Sequence, residues 1–261
     1  MFRQPWLVAG ATLAAGVATF VYIFRGRMAR VRALLLTSKD RAWDVQCLEG
    51  VPVHLTTEDT LKHLHRLRET CTDAFQDDPY FSYMEPNAAR RRKSCLNPIF
   101  TSFLLEASEG VRTLTAADSV GIWIKGGHKP SKMEQMANGG LVMCWLSSWS
   151  AIAKGMSYAD WIQGEMKRAR ATHPNLIYLK VLCTRRRAQG KGHGSTMLRQ
   201  LCREADAEEL PCYLDTANPT AKALYERFGF VEIGKFEHRP GAPPGWLMTR
   251  PPHAPEKSKS R

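Results

Sequence analysis

Apolar positions along the chain switch between two periods. Short runs of strand length occur at 51–55, 111–115, 119–124, 176–183, Cys212–Thr216, 230–236 and 246–249. The turn Ala116-Ala117-Asp118 makes 111–124 a hairpin. Between the strands, Leu61, Leu64, Leu67, Cys71 and Phe75 form a helical stripe, started at Thr56/Thr57 with Glu58 and Asp59 and ended before Asp77-Asp78-Pro79. A second helix is expected from about Asn87 to Glu106, with Leu96, Ile99, Phe100, Phe103 and Leu104 inward and 90–93 as a solvated basic face. Residues 125–172 read as a long insertion with helical character, in which Ser157 caps a segment carrying Trp161, Ile162 and Met166, and His173-Pro174 closes it. That block is too apolar for a free linker and is expected to form a wall of a substrate site. Further helices are expected over 192–208 and over Pro219–Arg227, the latter closed by Gly229.

The amino-terminal pattern is different. Residues 6–24 carry no charge, and as a helix they would span roughly 28 Å, close to the hydrocarbon thickness of a bilayer. Trp6 and Tyr22 lie near its ends, and Arg25, Arg27, Arg30, Arg32 and Lys39 follow it. The positive-inside bias then places the rest of the chain on the cytosolic side of a single-pass anchor. A mitochondrial address and a cleaved signal peptide compete with this reading, as does a buried soluble helix. The pattern divides the chain into an anchor with basic flank (1–36), a polar linker (37–50), one α/β domain (51–250) and a disordered basic tail (251–261).

Charge and cysteine usage narrow the function. Of the net charge of +12, residues 1–39 supply six Lys/Arg and no acid, so much of the imbalance lies outside the domain. No basic-aromatic motif accompanies it, and no nucleic-acid partner is expected. Seven scattered cysteines without CxxC or HExxH spacing exclude a disulfide framework and a zinc site.

The candidate chemistry lies at Gln189, Gly190, Lys191, Gly192, His193, Gly194 and Ser195. A strand, a glycine turn and a helix in this order direct backbone amides and the positive end of a helix dipole at an anion. No Gly-Lys is followed by Ser or Thr, which excludes a Walker A loop. The glycines are spaced G-x-G-x-G and lie late in the chain, unlike a dinucleotide fingerprint. The remaining pattern, Q/R-x-x-G-x-G/A on Gln189, Gly192 and Gly194, resembles the acyl-CoA pyrophosphate loop of the GCN5-related N-acetyltransferases, the GNAT superfamily. The stretches 213–219, 223–230 and 241–248, together with His173-Pro174, resemble that family's later elements at the expected distances.

The resemblance implies a mixed, mostly antiparallel sheet with a splayed central strand flanked by helices. It implies acetyl-CoA as co-substrate, with pantetheine on the backbone of Leu182, Cys183 and Thr184, pyrophosphate on the amides of 189–195, and a further contact from Asn218. Tyr225 matches the tyrosine that protonates the leaving sulfur as general acid. The implied reaction is direct attack of an amine on acetyl-CoA, with no covalent enzyme intermediate. The alternative is a membrane-tethered CoA-binding or interaction module without catalysis. His193 reads as a hydrogen-bonded histidine, Cys183 as an inert strand residue before an acyl carrier, and Asp215 and Glu226 as caps or as a base. Arg185-Arg186-Arg187 departs from the family's turn, and its charge would favour an anionic ligand. The acceptor amine is not legible in the sequence.

Overall fold

The computed structural model describes residues 45–47, 57–97, 99–100, 111–116, 118–125 and 148–256. The anchor at 6–24, the strand at 51–55, the end of the second helix, 126–147 of the insertion and 257–261 of the tail lie outside them. Among the described residues no helix is long and apolar enough to cross a membrane.

Seven strands form one sheet: β1 (Val45–Cys47), β2 (Val111–Ala116), β3 (Ser119–Lys125), β4 (Ile177–Thr184), β5 (Cys212–Thr216), β6 (Val231–Phe236) and β7 (Gly245–Arg250). Their order is β1-β2-β3-β4-β5-β7-β6. Only β1–β2 and β4–β5 pair in parallel among the described strands, so the sheet is mixed and mostly antiparallel, as expected. The expected polar linker 37–50 is corrected at 45–47, its only described residues. Val45–Cys47 is a strand, set by its β-favouring ends and paired with β2 through Val45↔Thr113.

The helices are α1 (Thr57–Ala74), α2 (Pro79–Met84), α3 (Ala88–Arg90, running on as a π-helical turn Arg91–Leu96), α4 (Trp149–Thr172), α5 (His193–Ala207) and α6 (Pro219–Arg227). Two sequence expectations change here. The cap of α4 is Ser148, whose hydroxyl accepts from the Ala151 amide, and Ser157 lies inside the helix. Arg91 is not on a solvated face. It is buried, and its guanidinium donates to the Gln76 carbonyl at 2.7 Å and to the Glu85 and Pro86 carbonyls at 2.8 and 3.2 Å. Those carbonyls follow the C-terminal ends of α1 and α2, where helix geometry leaves acceptors unmet.

β3 and β4 divide two cores between the faces of the sheet. On one face Trp123, Ile177 and Leu179 pack with Met197, Leu198 and Leu201 of α5 and Tyr225 of α6. On the other, Val120, Ile122, Ile124, Val181 and Cys183 pack with Leu67, Cys71, Leu96 and Phe100. Ile122 pairs with Val181 while Trp123 pairs with Leu179, which leaves Lys180 as an extra residue in β4. The bulge reverses the alternation, so Ile177 and Leu179 face α5 and Val181 and Cys183 face α1. Gly121 makes room on the α5 face, where an added Cβ would lie 2.9 Å from the Trp123 ring.

The tail is also corrected over 251–256. Arg250 is buried and forks onto Asp206 at 2.7 and 3.0 Å, while also donating to the Phe228 and Ala254 carbonyls. Glu256 accepts a forked pair from Arg199 at 3.0 and 2.8 Å. These residues are fastened to α5.

Candidate active site

β4 and β5 pair only at Ile177↔Cys212 and Tyr178↔Tyr213. Beyond that point β5 stays hydrogen-bonded to β7 along Cys212–Thr216, and β4 stays with β3. The parallel pair therefore splays, and a cavity of about 1230 Å³ opens in the gap. Pockets for one drug-sized ligand run to roughly 1,000 Å³, so this cavity has room for two reactants.

One end of the cavity is built from backbone. After β4 the chain makes a single 3-10 turn (Arg186–Ala188), and the Gln189 side chain donates to the Thr184 carbonyl at 3.0 Å. Gly190 and Gly192 then take φ of +77° and +89°, with nothing within 4 Å of an added Cβ. Backbone conformation, not crowding, is what requires glycine at these two places. Gly192 caps α5 without a side-chain bond, so the first-turn amides of His193, Gly194 and Ser195 have no partner inside the helix. At Gly194 a Cβ would meet Leu224 and Thr184 at ordinary contact, 3.6 and 3.9 Å, which agrees with G/A at that position of the pattern.

Leu182, Cys183, Thr184, Gln189, Gly190, Gly192, His193, Gly194, Ser195, Asn218 and Tyr225 all line the cavity. Lys191 is exposed and outside the lining. Asn218 caps α6, its Oδ1 accepting from the Thr220 and Ala221 amides at 2.9 and 3.3 Å. Ser195 Oγ accepts from the Arg227 guanidinium at 3.1 Å. The Cys183 sulfur turns to the α1 core and lies 3.6 Å from Cys71 Sγ, which suits a structural thiol. Burial pushes the Cys71 thiol up.

The arginine triplet has structural partners. The Arg186 amide and guanidinium bond Asp73 of α1, and its guanidinium pairs with Asp77 at 2.9 Å. Arg187 grips Asp118 at 2.7 and 3.1 Å, holding that carboxyl below its usual range. The Arg185 amide donates to the Asp118 carbonyl. These bonds pin the glycine turn to α1 and to the β2–β3 turn. The charge expected to favour an anion is thus largely paired.

The other end is built from side chains of distant elements. Asp215 on β5 accepts a hydrogen bond from Tyr178 of β4 at 2.8 Å and another from Tyr158 of α4. Burial raises the Asp215 carboxyl above the usual range, and the two tyrosine hydrogen bonds only partly offset this. Asp78 caps α2 through the Tyr80 and Phe81 amides at 2.9 and 3.3 Å, and burial raises it too. The rings of Tyr80 and Tyr158 lie 4.2 Å apart between centroids, as do those of Trp161 and Phe236. Tyr225 is buried at the junction of the two ends. Burial, then the neighbouring Asp215, Cys183 and Asp78, push its hydroxyl well above the ordinary tyrosine value, so it stays protonated.

Sequence reasoning weighed Asp215 without placing it in the site and missed Asp78, Tyr80, Tyr158 and Tyr178. Asp78-Pro79 carried a usable signal, an acid before proline at a helix start. Nothing local marked the tyrosines.

No curated protein sequence matches the chain. Solved structures with a similar course include a histone acetyltransferase HPA2-related acetyltransferase from Corynebacterium glutamicum ATCC 13032, 18% identical, covering 74% of this chain and 93% of that one at a TM-score of 0.48. Arylalkylamine N-acetyltransferase 2 from Aedes aegypti is 12% identical, with 73% and 95% covered and a TM-score of 0.45. The ribosomal-protein-S18-alanine N-acetyltransferase from Escherichia coli is 22% identical, with 33% and 58% covered and a TM-score of 0.26. Residues 154–232 match the family model of the acetyltransferase (GNAT) domain, from within α4 through the glycine turn into β6. By that match residues 154–232 are similar to a GNAT acetyltransferase domain.

Proposed function

We propose that the chain moves an acetyl group from acetyl-CoA to an amine by direct attack, inside the gap between β4 and β5. The observation that carries this is the splay itself, which opens a two-reactant cavity beside the uncapped amides of His193, Gly194 and Ser195. Those amides suit a pyrophosphate, and the free edge of β4 at Leu182, Cys183 and Thr184 suits the amides of a pantetheine arm. Acetyl-CoA supplies the acetyl group as a thioester. The amine nitrogen bonds to the carbonyl carbon as the carbon–sulfur bond breaks, and Tyr225 gives its proton to the departing sulfur. The proton shed by nitrogen restores the phenol. Positioning two reactants side by side supplies most of the acceleration. We further propose that residues 6–24 anchor the chain in a membrane with the domain on the cytosolic side, mitochondrial targeting being the alternative. Imaging a fluorescent fusion of 1–45 separates the two.

The full chain is titrated with acetyl-CoA while the melting temperature is read, and free thiol release is then followed with a panel of amines. A rise in melting temperature with amine-dependent thiol release is expected. No shift at millimolar acetyl-CoA overturns the reading.

A further inference from the structure

The acceptor end of the cavity is chemically uneven. It is lined by aromatic and aliphatic groups, among them Tyr80, Tyr158, Ile162, Met166 and Phe236, with the carboxylate of Asp215 at its inner wall. An ionised carboxylate has about four lone-pair positions. Two of those on Asp215 are taken by Tyr158 and Tyr178. The two hydroxyls fix the group in place and leave room for a third, cationic donor. A carboxylate in such surroundings is costly without a partner of opposite charge.

We propose that this recess is the acceptor subsite, and that it takes the ammonium group of a primary monoamine carried on an aromatic or aliphatic body, with Asp215 as counter-ion and first proton acceptor. The inference rests on the acetyltransferase reading and names the substrate class for it. An N–H bond of the ammonium breaks as an O–H bond forms on Asp215, and the nitrogen lone pair is freed for attack. The proton later leaves to water. The tilted ring pair Tyr80 and Tyr158, and Phe236 backed by Trp161, line this recess with aromatic groups for an apolar body and a cation.

Among the described residues a second positive charge on the substrate finds no equivalent partner. Among the other carboxylates lining the cavity, Asp77 pairs with Arg186, Asp78 caps α2, and Asp160 is exposed. Arg170 and Arg227 line the same cavity and repel a second ammonium. Polyamines are therefore poor acceptors.

The test uses the full chain with 2-phenylethylamine, hexylamine, spermidine and a tetrapeptide with a free N-terminus. Calorimetry reads amine binding, thiol release reads kcat/KM, and a separate titration reads CoA binding. The two monoamines should exceed spermidine and the peptide by about 10-fold or more in kcat/KM, since each 1.4 kcal/mol is tenfold. Asp215→Asn should lower kcat/KM for 2-phenylethylamine about 100-fold, with CoA affinity within about two-fold of the parent, because one partner of a desolvated charge pair is removed. Unchanged CoA affinity also certifies that the variant is folded. Tyr158→Phe keeps the charge and removes one positioning bond, and should raise KM for the amine several-fold more than it lowers kcat. Preference for spermidine or the peptide, or an Asp215→Asn variant within about three-fold of the parent, overturns the proposal. Failure of CoA binding in the parent overturns the acetyltransferase reading instead, and calorimetry still reports on the amine recess.

Discussion

The two ends of the cavity are made in opposite ways. The end proposed for acetyl-CoA consists of backbone from one continuous stretch, Thr184 to Ser195, shaped by two glycines at positive φ. The end proposed for the amine consists of side chains from α2, α4, β4 and β5, brought together only by folding. Backbone recognition suits a ligand that never changes, because amides are the same whatever the side chains. Side-chain recognition suits a ligand that differs between related proteins, since single substitutions retune it.

Variants at the two ends should therefore separate. The largest effect belongs to Tyr225, where the ends meet. Tyr225→Phe should cut turnover about 100-fold while acetyl-CoA affinity stays within a factor of two, as loss of a general acid requires. Equal losses in both, measured by single-turnover kinetics and calorimetry, would move Tyr225 from proton donor to binding residue.

Gly192→Val should come next, and only for the donor. A branched side chain at φ of +89° costs at least about 1–2 kcal/mol, so acetyl-CoA affinity should fall roughly 10-fold. Gly194→Ala is the matched control. Its Cβ meets only ordinary contacts, and affinity should change less than about two-fold. If both variants weaken binding alike, crowding rather than conformation selects glycine in this turn.

Trp161→Ala should do the reverse. Its ring packs on Phe236 at the acceptor end, and its loss should raise KM for an aromatic amine several-fold, with acetyl-CoA unaffected.

The smallest effect is on acid stability. Arg187 lowers the folded pKa of Asp118, so the pair stabilises the fold above the unfolded value near 3.8 and loses that contribution as pH falls through the lower folded value. Arg187 is largely exposed, which keeps the contribution small. Asp118→Asn should lower neutral stability by that small amount and leave stability below the folded value unchanged, so that the acid limb of a circular-dichroism titration flattens.

The same contrast explains what could be read in advance. The glycine turn, the hairpin at β2–β3 and the helices α5 and α6 follow from local spacing, and the structure agrees on all of them within a residue or two. The splay was legible only through family resemblance. Tyr158 and Tyr178 were invisible because a tyrosine in a helix and another in a strand look like ordinary core until β5 places Asp215 between them. Arg91 misled for a related reason. Three carbonyls from two connections draw it inward, and no property of the run 90–93 records where those carbonyls lie. Ser157 and Ser148 both satisfy the capping rule, and only the helix's true start decides between them.

The extra residue at Lys180 acts as a frameshift inside β4. It shifts the numbering parity only: without it the ladder would run on unbroken, with Ile177 and Leu179 still facing α5 and Val181 and Cys183 still facing α1. An alignment with a strand that lacks the extra residue must therefore open its gap here, or half of β4 is matched with its faces exchanged.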